Sequence, residues 1–384
     1  MSKIIEKELA LLARWILRRF HPFIIGITGS SGKTTTKYLT TQLLQAVTPS
    51  VASSSGNLNT KTGLPLSVLG YKKAPQNYLN WFFVAISAPI RALFTFSYPK
   101  FLVLEYALDL PGDMDKLISI ARPDIVIMTN ISLAHIEIFK TRENIAREKW
   151  KLALSAREAV VLDRESLQAA KDFNKIEKDV HIIPSIKSAK AENIEVHTNK
   201  VHFDFYLNNV RRETNFKFFG PHNIRNLEMA SFAAFLSTGE TEKILDTINK
   251  LSPLPGRGRR FLTKDEVLVI DESYNANPAS MEAALDTLRG IKFARKVAVL
   301  GQMAEIGPIS KEAHAKISQY AKKVSDYTIG VGEDMKDLGL DQWYQDVSEL
   351  NSEIGSLLKK GDAVLVKGSR SNNLDKLVDY LEVR

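Results

Sequence analysis

The sequence predicts an α/β protein with a P-loop-type, mostly parallel sheet in a central domain and a C-terminal Rossmann-like α/β domain. Three observations lead to this prediction. Short β-rich runs alternate with helical patterns from residue 23, a Pro/Gly-rich segment interrupts the alternation near residue 255, and the alternation then restarts. We therefore expect an amphipathic helix over residues 1–22, a central domain over 23–255 and a C-terminal domain over 256–384.

Strand-like runs in the first unit each precede a helical pattern: "FIIGIT", "FLVLEYA", "DIVIMTN" and "AVVLD". Ligands of parallel sheets bind at the carboxyl ends of the strands, so chemistry is expected where these runs end. Between about residues 180 and 220 the pattern changes to short alternating runs, which predicts an antiparallel patch.

The second unit follows "LSPLPGRGRRF", whose Pro and Gly content is typical of a linker. Its strand-like runs are "EVLVIDES", "KVAVLGQM", "DYTIGVG" and "DAVLVKGS". They alternate with helical patterns over about 125 residues, a normal domain size.

The N-terminal helix has two interpretations. Apolar residues recur at helical spacing, and Arg14, Arg18 and Arg19 add positive charge. The helix either packs against its own domain or lies on a membrane surface. A second apolar stretch, "LNWFFVAISAPIRALFTF", is interrupted by Pro89 and Arg91 and is shorter than the roughly 20 residues of a spanning helix, so we expect a buried or interfacial segment.

Composition narrows the function classes. The 384 residues include 52 Lys and Arg against 44 Asp and Glu, a net charge of +8 that suits acidic ligands, nucleic acid or an anionic membrane. The positive charge is scattered and lacks an aromatic-interleaved stripe, so nucleic acid is not expected. The absence of Cys excludes disulfides and thiolate catalysis. No signal peptide is evident, and we expect a cytoplasmic protein, with the inner face of the membrane as the alternative position.

A phosphate-binding loop follows the first strand-like run. Its residues are Thr28, Gly29, Ser30, Ser31, Gly32, Lys33 and Thr34. Backbone N–H groups would close around phosphate oxygens, Lys33 would reach the outer phosphates and Thr34 would bind Mg²⁺. Ile27 stands where the usual spacing has glycine, so the loop is a variant.

Two residues at the same expected sheet edge are candidates for a second divalent ion. Glu105 ends "FLVLE", and His135 follows "DIVIMTN". Taken alone, His135 also fits a loop histidine with a local hydrogen bond. Lys149, on a helical pattern, reads by itself as a solvated charge.

Ordered motifs along the chain resemble those of the Mur ligases. They are "GITGSSGKTTTK", "GNLNTKTGLPLSVL", "IAREKWKL", "GPHNIRNLEMA", "PGRGRRF", "IDESYNANPASMEAAL", "LGQMAEIG" and "VKGSR". The resemblance implies an ATP-dependent amide ligase that phosphorylates a carboxylate of a UDP-linked muramyl tripeptide. The closest likeness is to the branch that adds D-alanyl-D-alanine to the resulting acyl phosphate.

The resemblance also implies residue roles. Lys33 would be catalytic, two Mg²⁺ ions would be bound, and Lys149 would be carbamylated, which turns it into an anionic ligand beside Glu105 and His135. The ATP-binding set would include Thr35, His222, Asn223, Asn226, Arg257 and Asp271 in addition to the loop. The substrate-binding set would be Asn57, Asn59, Asn275, Asn277, Lys367, Ser369 and Arg370.

Some features depart from the family pattern. Members usually begin with a uridine-binding domain, whereas about 22 residues precede the first strand here, so we expect a reduced mode of uridine recognition. Thr60 stands where a second Asn is common, and the segment from Gly301 to Glu305 also differs. The alternatives are another amide ligase of the superfamily, acting on poly-glutamate or a different envelope peptide, and a non-catalytic P-loop switch.

Overall fold

The central sheet is parallel throughout and has six strands within the part of the chain that the structure describes. The computed structural model describes residues 3–56, 58–131, 136–169, 179–198 and 200–383. The strands are β1 (Phe23–Thr28), β2 (Val51–Ser53), β3 (Phe101–Glu105), β4 (Ile125–Met128), β5 (Ala159–Asp163) and β6 (Asp179–Ile183). Their spatial order is β2-β3-β1-β4-β5-β6. Strand β1 is therefore central, with the end of β3 on one side of its exit loop and the end of β4 on the other.

Helices cover both faces of this sheet, as continuous apolar strands require. Those before β7 are α1 (Lys3–Phe20), α2 (Lys33–Val47), α3 (Gly63–Val68), α4 (Tyr78–Phe94), α5 (Asp113–Ile120), α6 (Ile136–Phe139), α7 (Arg142–Ser155) and α8 (Arg164–Ala169). One core cluster joins α1, α3, α4, α5 and α7 to the sheet, and a second lies on the opposite face with α2.

A three-stranded antiparallel sheet completes the second cluster, which confirms the predicted antiparallel patch. It consists of β7 (Ala189–Val196), β8 (Val201–Leu207) and β9 (Val210–Phe216). Its buried aromatic side chains, Phe203, Phe205 and Phe216, pack with Phe218 against the central sheet. Helices α9 (Pro221–Thr238) and α10 (Thr241–Ile248) follow.

The C-terminal sheet is parallel except for its first strand. Its strands are β10 (Arg259–Leu262), β11 (Leu268–Glu272), β12 (Arg295–Gly301), β13 (Tyr327–Val331), β14 (Gln342–Tyr344) and β15 (Asp362–Lys367). Their order is β10-β11-β15-β12-β13-β14, with β10 antiparallel to β11. Its helices are α11 (Pro278–Gly290), α12 (Ser310–Val324), α13 (Val347–Leu357) and α14 (Asp375–Val383).

The segment interpreted as a linker is only partly one. Strand β10 begins at Arg259, inside "LSPLPGRGRRF", because the glycine turn before it brings the chain back against β11. Hydrogen bonds from Gly256 and Gly258 to Asp271 hold this turn. The division of the chain at residue 255 stays a prediction.

Helix α1 packs against α3 and α4 through Leu9, Ala13 and Ile16, which are all buried. Helix α4 buries Val84, Ala88 and Ala92 in the same cluster and leaves its other face exposed. Among the described residues, no helix is long and apolar enough to cross a membrane.

Phe216→Ala tests the second core cluster. The ring of Phe216 is fully buried and stacks on Phe218 at 4.5 Å between centroids. We expect the free energy of unfolding to fall by about 3–5 kcal/mol, because the substitution leaves a cavity. The matched control is Phe96→Ala, whose ring is 80% exposed. Chemical denaturation of both variants should separate them, and equal losses would contradict this packing.

Candidate active site

The loop between β1 and α2 has the backbone of an anion-binding turn. Gly32 caps α2 with φ of 78°. Gly29 has φ of 149°, and a Cβ built there would lie 1.9 Å from Thr129 Oγ1. The loop therefore needs glycine at position 29 for conformation and for space.

Thr129 and Asn130, which follow β4, hold this loop from the side. Asn130 Oδ1 accepts hydrogen bonds from the backbone N–H groups of Ser30 at 3.1 Å and Ser31 at 2.8 Å. Asn130 Nδ2 donates to Ser31 Oγ, and Thr129 Oγ1 donates to the Ser31 carbonyl. Two consecutive N–H groups therefore donate to one acceptor oxygen, the arrangement that binds phosphate oxygens in such loops, and Asn130 Oδ1 occupies that acceptor position here.

Two lysines meet at one carbonyl beneath the loop. Lys33 Nζ and Lys149 Nζ each donate to the Gly29 carbonyl at 2.9 Å. Lys149 is 1% exposed, and no described carboxylate forms an ion pair with it. Burial, and then the charge of Lys33, hold the pKa of Lys149 well below its usual value. The side chain that reads as a solvated charge from sequence alone is therefore a buried amine that loses its proton readily.

Glu105 ends β3 beside the same loop and is 2% exposed. Thr34 Oγ1 donates to one carboxylate oxygen at 3.0 Å, and Asn59 Nδ2 donates to the other at 2.9 Å. Lys37 forms an ion pair with Glu105 at 3.2 Å. Burial would raise the pKa of Glu105, but Lys37, Lys33 and Asn59 hold it below its usual value, so the group is a carboxylate.

Two of the predicted site residues, Asn57 and His135, lie outside the described residues. Of the others at this edge, Thr28 donates from Oγ1 to the Tyr106 carbonyl, and Thr35 is buried in α2. Among the described residues, no group of three or more His, Asp or Glu side chains could hold a metal ion.

The start of α9 lies against the loop. Asn226 is buried, and its Oδ1 would be 2.7 Å from a Cβ on Gly32. Asn223 donates to the Phe219 carbonyl and accepts from Asn226. His222 Nε2 lies 3.6 Å from Glu272 Oε1, and its buried Nδ1 has no hydrogen-bond partner in the described part of the chain.

Arg257 places a positive charge between the two sheets. Its guanidinium lies 3.9 Å from the centroid of the Tyr274 ring. Its charge contributes to lowering the pKa of Glu105 in the central sheet and of Glu272 in the C-terminal sheet. Asp271 is used structurally, because its carboxylate accepts from the N–H groups of Gly256 and Ser273.

Lys367 and Glu272 form a buried pair at the carboxyl edge of the C-terminal sheet. Their charged atoms are 3.6 Å apart, and Lys367 Nζ donates to the Asn275 carbonyl at 2.9 Å. Burial lowers the pKa of Lys367, while Glu272 opposes that change. Asn277 caps α11 through its side chain, which accepts from Ser280 N.

The loop after β15 packs against the end of β12. Ser369 is buried and donates to the Gln302 carbonyl, whereas Arg370 is exposed and lies 5.8 Å from the Tyr274 ring centroid. A cavity of about 330 Å³ adjoins this loop, lined in part by Gln302, Gly332 and Asn372. It lies at the carboxyl ends of the strands, where ligands of open α/β sheets bind.

Several residues at these two edges were not found from the sequence. Lys37, Thr129, Asn130 and Glu272 all contact predicted site residues. Asn130 could have been found, since it directly follows a buried strand on the same sheet edge as the loop. Lys37 is one helical turn after Lys33, which was an equally visible signal.

Comparison with known proteins settles the family. The profile of the Mur ligase middle domain matches residues 27–234, which is more than half of the chain. The profile described as Mur ligase, glutamate ligase domain, matches residues 256–370. The chain belongs to the Mur ligase family. This membership confirms the predicted fold class and the predicted ligase class.

Individual Mur ligases align along most of the chain. The UDP-N-acetylmuramoyl-tripeptide–D-alanyl-D-alanine ligase of Rickettsia prowazekii is 26% identical over 374 positions, covering 93% of this chain and 78% of the relative. The ligase of the same name from Escherichia coli K12 is 26% identical and covers 100% and 82%. The crystal structure of MurF ligase from Thermotoga maritima in complex with ADP superposes with a TM-score of 0.81 and 25% identity, covering 98% and 83%.

Lys149→Met should change how the stability of this Mur ligase depends on pH. The folded-state pKa of Lys149 is below its ordinary value of 10.5, so the unfolded chain binds the extra proton first as pH falls. The wild type should therefore lose stability relative to Lys149→Met as pH is lowered from 10.5 towards the folded-state pKa. Denaturant titrations at several pH values, in buffer freed of CO₂, measure this difference.

Lys151→Met is the matched control on the same helix. Its partners Asp115 and Glu148 overcome the effect of partial burial and raise the pKa of Lys151. The stability difference for this variant should stay constant below pH 10.5 and change only above it. A pH-independent difference for Lys149→Met would show that this amine is not shifted downward.

Proposed function

We propose that this Mur ligase uses ATP to join D-alanyl-D-alanine to a UDP-N-acetylmuramoyl-tripeptide, a step of cell-wall precursor synthesis. The observation that carries the proposal is the convergence of Glu105, Lys33 and Lys149, whose pKa is lowered by burial, on the phosphate-binding loop. The names of the relatives that align along most of the chain supply the two substrates.

The loop fits the phosphates of ATP. The N-terminus of α2 offers positive potential to an anion, and the N–H groups of Ser30 and Ser31, which donate to Asn130 in this structure, would turn to a phosphate oxygen. Lys33 now donates to the Gly29 carbonyl of its own loop, and in the proposed complex it would turn to the outer phosphates. Thr28, Gly29 and Gly32 would complete the cradle, with Thr34 and Thr35 at the start of the helix.

The remaining nucleotide contacts would come from α9 and the C-terminal sheet. The unpartnered Nδ1 of His222 is a buried polar atom that lacks a described partner, which suits a ligand such as adenine. Asn223 and Asn226 would lie beside it. Arg257 and Asp271 would meet ribose and phosphate.

The residues at Glu105 fit a divalent cation. Mg²⁺ takes one or two protein carboxylates beside phosphate and water, and Glu105 with Thr34 supplies two oxygen ligands at the loop. His135 is proposed as a further ligand from the sequence alone. A bound Mg²⁺ would neutralise charge on the phosphoryl oxygens.

The surroundings of Lys149 favour its carbamylation. A neutral amine reacts with CO₂ whereas an ammonium does not, and burial with the neighbouring Lys33 charge lowers the pKa of Lys149 and so increases its neutral fraction. The resulting carbamate would be an anion beside Lys33. It would attract Lys33 and would add metal-ligating oxygen atoms.

In the proposed reaction, a carboxylate oxygen of the tripeptide attacks the γ-phosphorus of ATP, and the bond to the leaving ADP oxygen breaks. Lys33 and the loop N–H groups would stabilise the charge that builds on the phosphoryl oxygens. The amine of the dipeptide then attacks the acyl carbon, an amide bond forms, and phosphate leaves with the bonding pair. Asn57 and Asn59 would orient the muramyl peptide, Asn59 from its contact with Glu105.

The dipeptide would bind on the C-terminal sheet. The buried Lys367, Ser369 and the exposed Arg370 surround the carboxyl ends of β15 and β12, beside the 330 Å³ cavity. Asn275 and Asn277 lie at the start of α11, although the Asn277 side chain already serves as a helix cap. These residues would bind the dipeptide and keep its amine near the acyl phosphate.

The cytoplasmic location also stays a prediction.

Mass spectrometry of the products tests this function. The purified protein is incubated with ATP, Mg²⁺ and a UDP-muramyl tripeptide, with D-alanyl-D-alanine in one reaction and L-glutamate in another. We expect a mass gain equal to the dipeptide less water, with ADP and phosphate released in equal amounts. Product only with glutamate would favour the alternative amide ligase. Stoichiometric nucleotide binding without any acceptor-stimulated turnover would contradict the ligase.

Lys149→Ala tests the contribution of this lysine to ligation. We expect ligation to fall by at least about a hundredfold, as for loss of an electrostatic stabiliser. A short-chain carboxylic acid in the buffer should restore part of the rate, because it can occupy the place of the carbamate. Lys151→Ala, two residues away and part exposed, is the control and should keep its activity. Full activity of Lys149→Ala would remove this residue from the mechanism.

A further inference from the structure

Helices α1 and α4 present a joint apolar surface outside the active site. On α4 the exposed side chains are Leu79, Phe82, Phe83, Ile86, Ile90, Leu93 and Phe94, each more than half exposed. On α1 they are Ile4, Leu11 and Trp15. We call these ten residues the α1–α4 face. The two helices contact one another, so the face belongs to one rigid pair of helices.

The α1–α4 face has more clustered apolar side chains than an ordinary protein surface. Isolated exposed apolar residues are normal, but a cluster of aromatic and branched side chains along a whole helix marks an interaction site. The buried side of α4 is made by small residues and a valine, Val84, Ala88 and Ala92. Except for Trp81, which packs partly against the core, the large side chains of the helix therefore point outward, unlike those of a helix that packs only within its own domain.

The sequence that contributes most of the face is basic, although α1 also carries Glu6 and Glu8 close to Ile4. Residues 9–104 contain no Asp or Glu, although 44 of 384 residues are acidic, which is eleven per 96 residues. The same span contains ten basic residues: Arg14, Arg18, Arg19, Lys33, Lys37, Lys61, Lys72, Lys73, Arg91 and Lys100. The nucleotide-loop lysines, Lys33 and Lys37, are enclosed at the active site, and the others lie outside it.

Two of these cations, Arg19 and Arg91, contact the face or lie on its helices. Arg19 donates to the Leu93 carbonyl at the end of α4, and its guanidinium lies 5.2 Å from the Trp15 ring centroid. Arg91, on α4 itself, lies over Tyr71. Arg18, Lys72 and Lys73 are exposed nearby in sequence. Apolar and aromatic side chains bordered by Lys and Arg are typical of helices that lie in a lipid interface.

We propose that the α1–α4 face binds the surface of an anionic membrane, with both helices lying in the plane of the interface. Helix α4 is about 25 Å long, too short to cross a hydrocarbon core of about 30 Å. The exposed rings would enter the boundary between headgroups and acyl chains, and the rim cations would pair with lipid phosphates.

A second copy of the chain fits the face less well. A two-fold dimer brings the same patch of both copies together, so the mainly basic rim of one copy would meet that of the other, with Glu6 and Glu8 as the acidic residues on α1. Like charges brought together across an interface oppose association. An anionic lipid surface supplies the opposite charge.

Vesicle flotation tests the proposal independently of ligase activity. The full chain is mixed with vesicles of phosphatidylcholine alone or with added phosphatidylglycerol. We expect flotation with the anionic vesicles that weakens as salt is raised. Phe82→Ser with Phe83→Ser should lower the partition coefficient by about tenfold or more, because two rings no longer enter the lipid.

The matched control is Ile194→Ser with Val196→Ser, on the antiparallel sheet, where both side chains are about half exposed. It should float as well as the wild type. Leu93→Ser with Phe94→Ser is a second variant of the face, and unfolding curves establish that each variant is folded. Arg18→Gln with Arg19→Gln should lose the preference for anionic vesicles.

Trp fluorescence gives an internal control in the wild type. Brominated lipids should quench Trp15 on the face more than Trp343 in the C-terminal sheet. Because Trp81 also lies on α4, the difference between the wild type and Trp15→Phe isolates the Trp15 signal. Absence of flotation, or flotation unchanged in both face variants, would overturn the proposal. Sedimentation equilibrium tests the other occupant. If the chain does not bind vesicles but forms a dimer, and if Phe82→Ser with Phe83→Ser dissociates that dimer, the face serves self-association instead.

Discussion

The carboxylate of Glu105 is the group around which the central site is arranged. A carboxylate with almost no contact with water is stable only when cations and hydrogen-bond donors surround it. Thr34 and Lys37 reach it from α2, and Asn59 reaches it from the segment after β2. These partners fix the first turns of α2 relative to β3. The phosphate-binding loop, which opens α2, is thereby held at a set distance from the carboxylate, and Lys149 lies beneath the same loop.

Sheet topology explains why distant parts of the sequence meet here. Strands β3, β1 and β4 are adjacent and parallel, so their carboxyl ends place Glu105, the loop and Asn130 along one edge. In the C-terminal sheet, β15 lies between β11 and β12, which brings the loop after Lys367 against Glu272 on one side and Gln302 on the other. Two edges of this kind, joined by the glycine turn at Gly256, suit a reaction between two substrates held on different sheets.

The fold was predictable because strand and helix patterns alternate clearly along the sequence. The phosphate-binding loop was predictable because its glycines, Lys and Thr follow a strand and open a helix. The burial of Lys149 was not predictable, since helix α7 contains both polar and apolar residues on most sides, and Lys149 lies inward with apolar neighbours such as Ala146 and Ala153. The exposed face of α4 was not predictable either. An apolar run has the same appearance whether its large or its small side chains face the core, and here Ala88 and Ala92 face inward. Strand β10 was not predicted, because it is short and follows glycines that are typical of a linker.

Arg257 affects the proton affinity of one carboxylate in each half of the molecule. Its charge stabilises the ionised forms of Glu105 and Glu272, which belong to different sheets. If the sheets rotate relative to one another, the distance from the Arg257 guanidinium to at least one of the two carboxylates changes. The pKa of that carboxylate then changes as well. By reciprocity, uptake or loss of a proton at either carboxylate alters the free-energy difference between sheet orientations. Arg257 is the smallest of the influences that lower the pKa of either carboxylate, so the coupling it provides between sheet orientation and protonation is correspondingly weak.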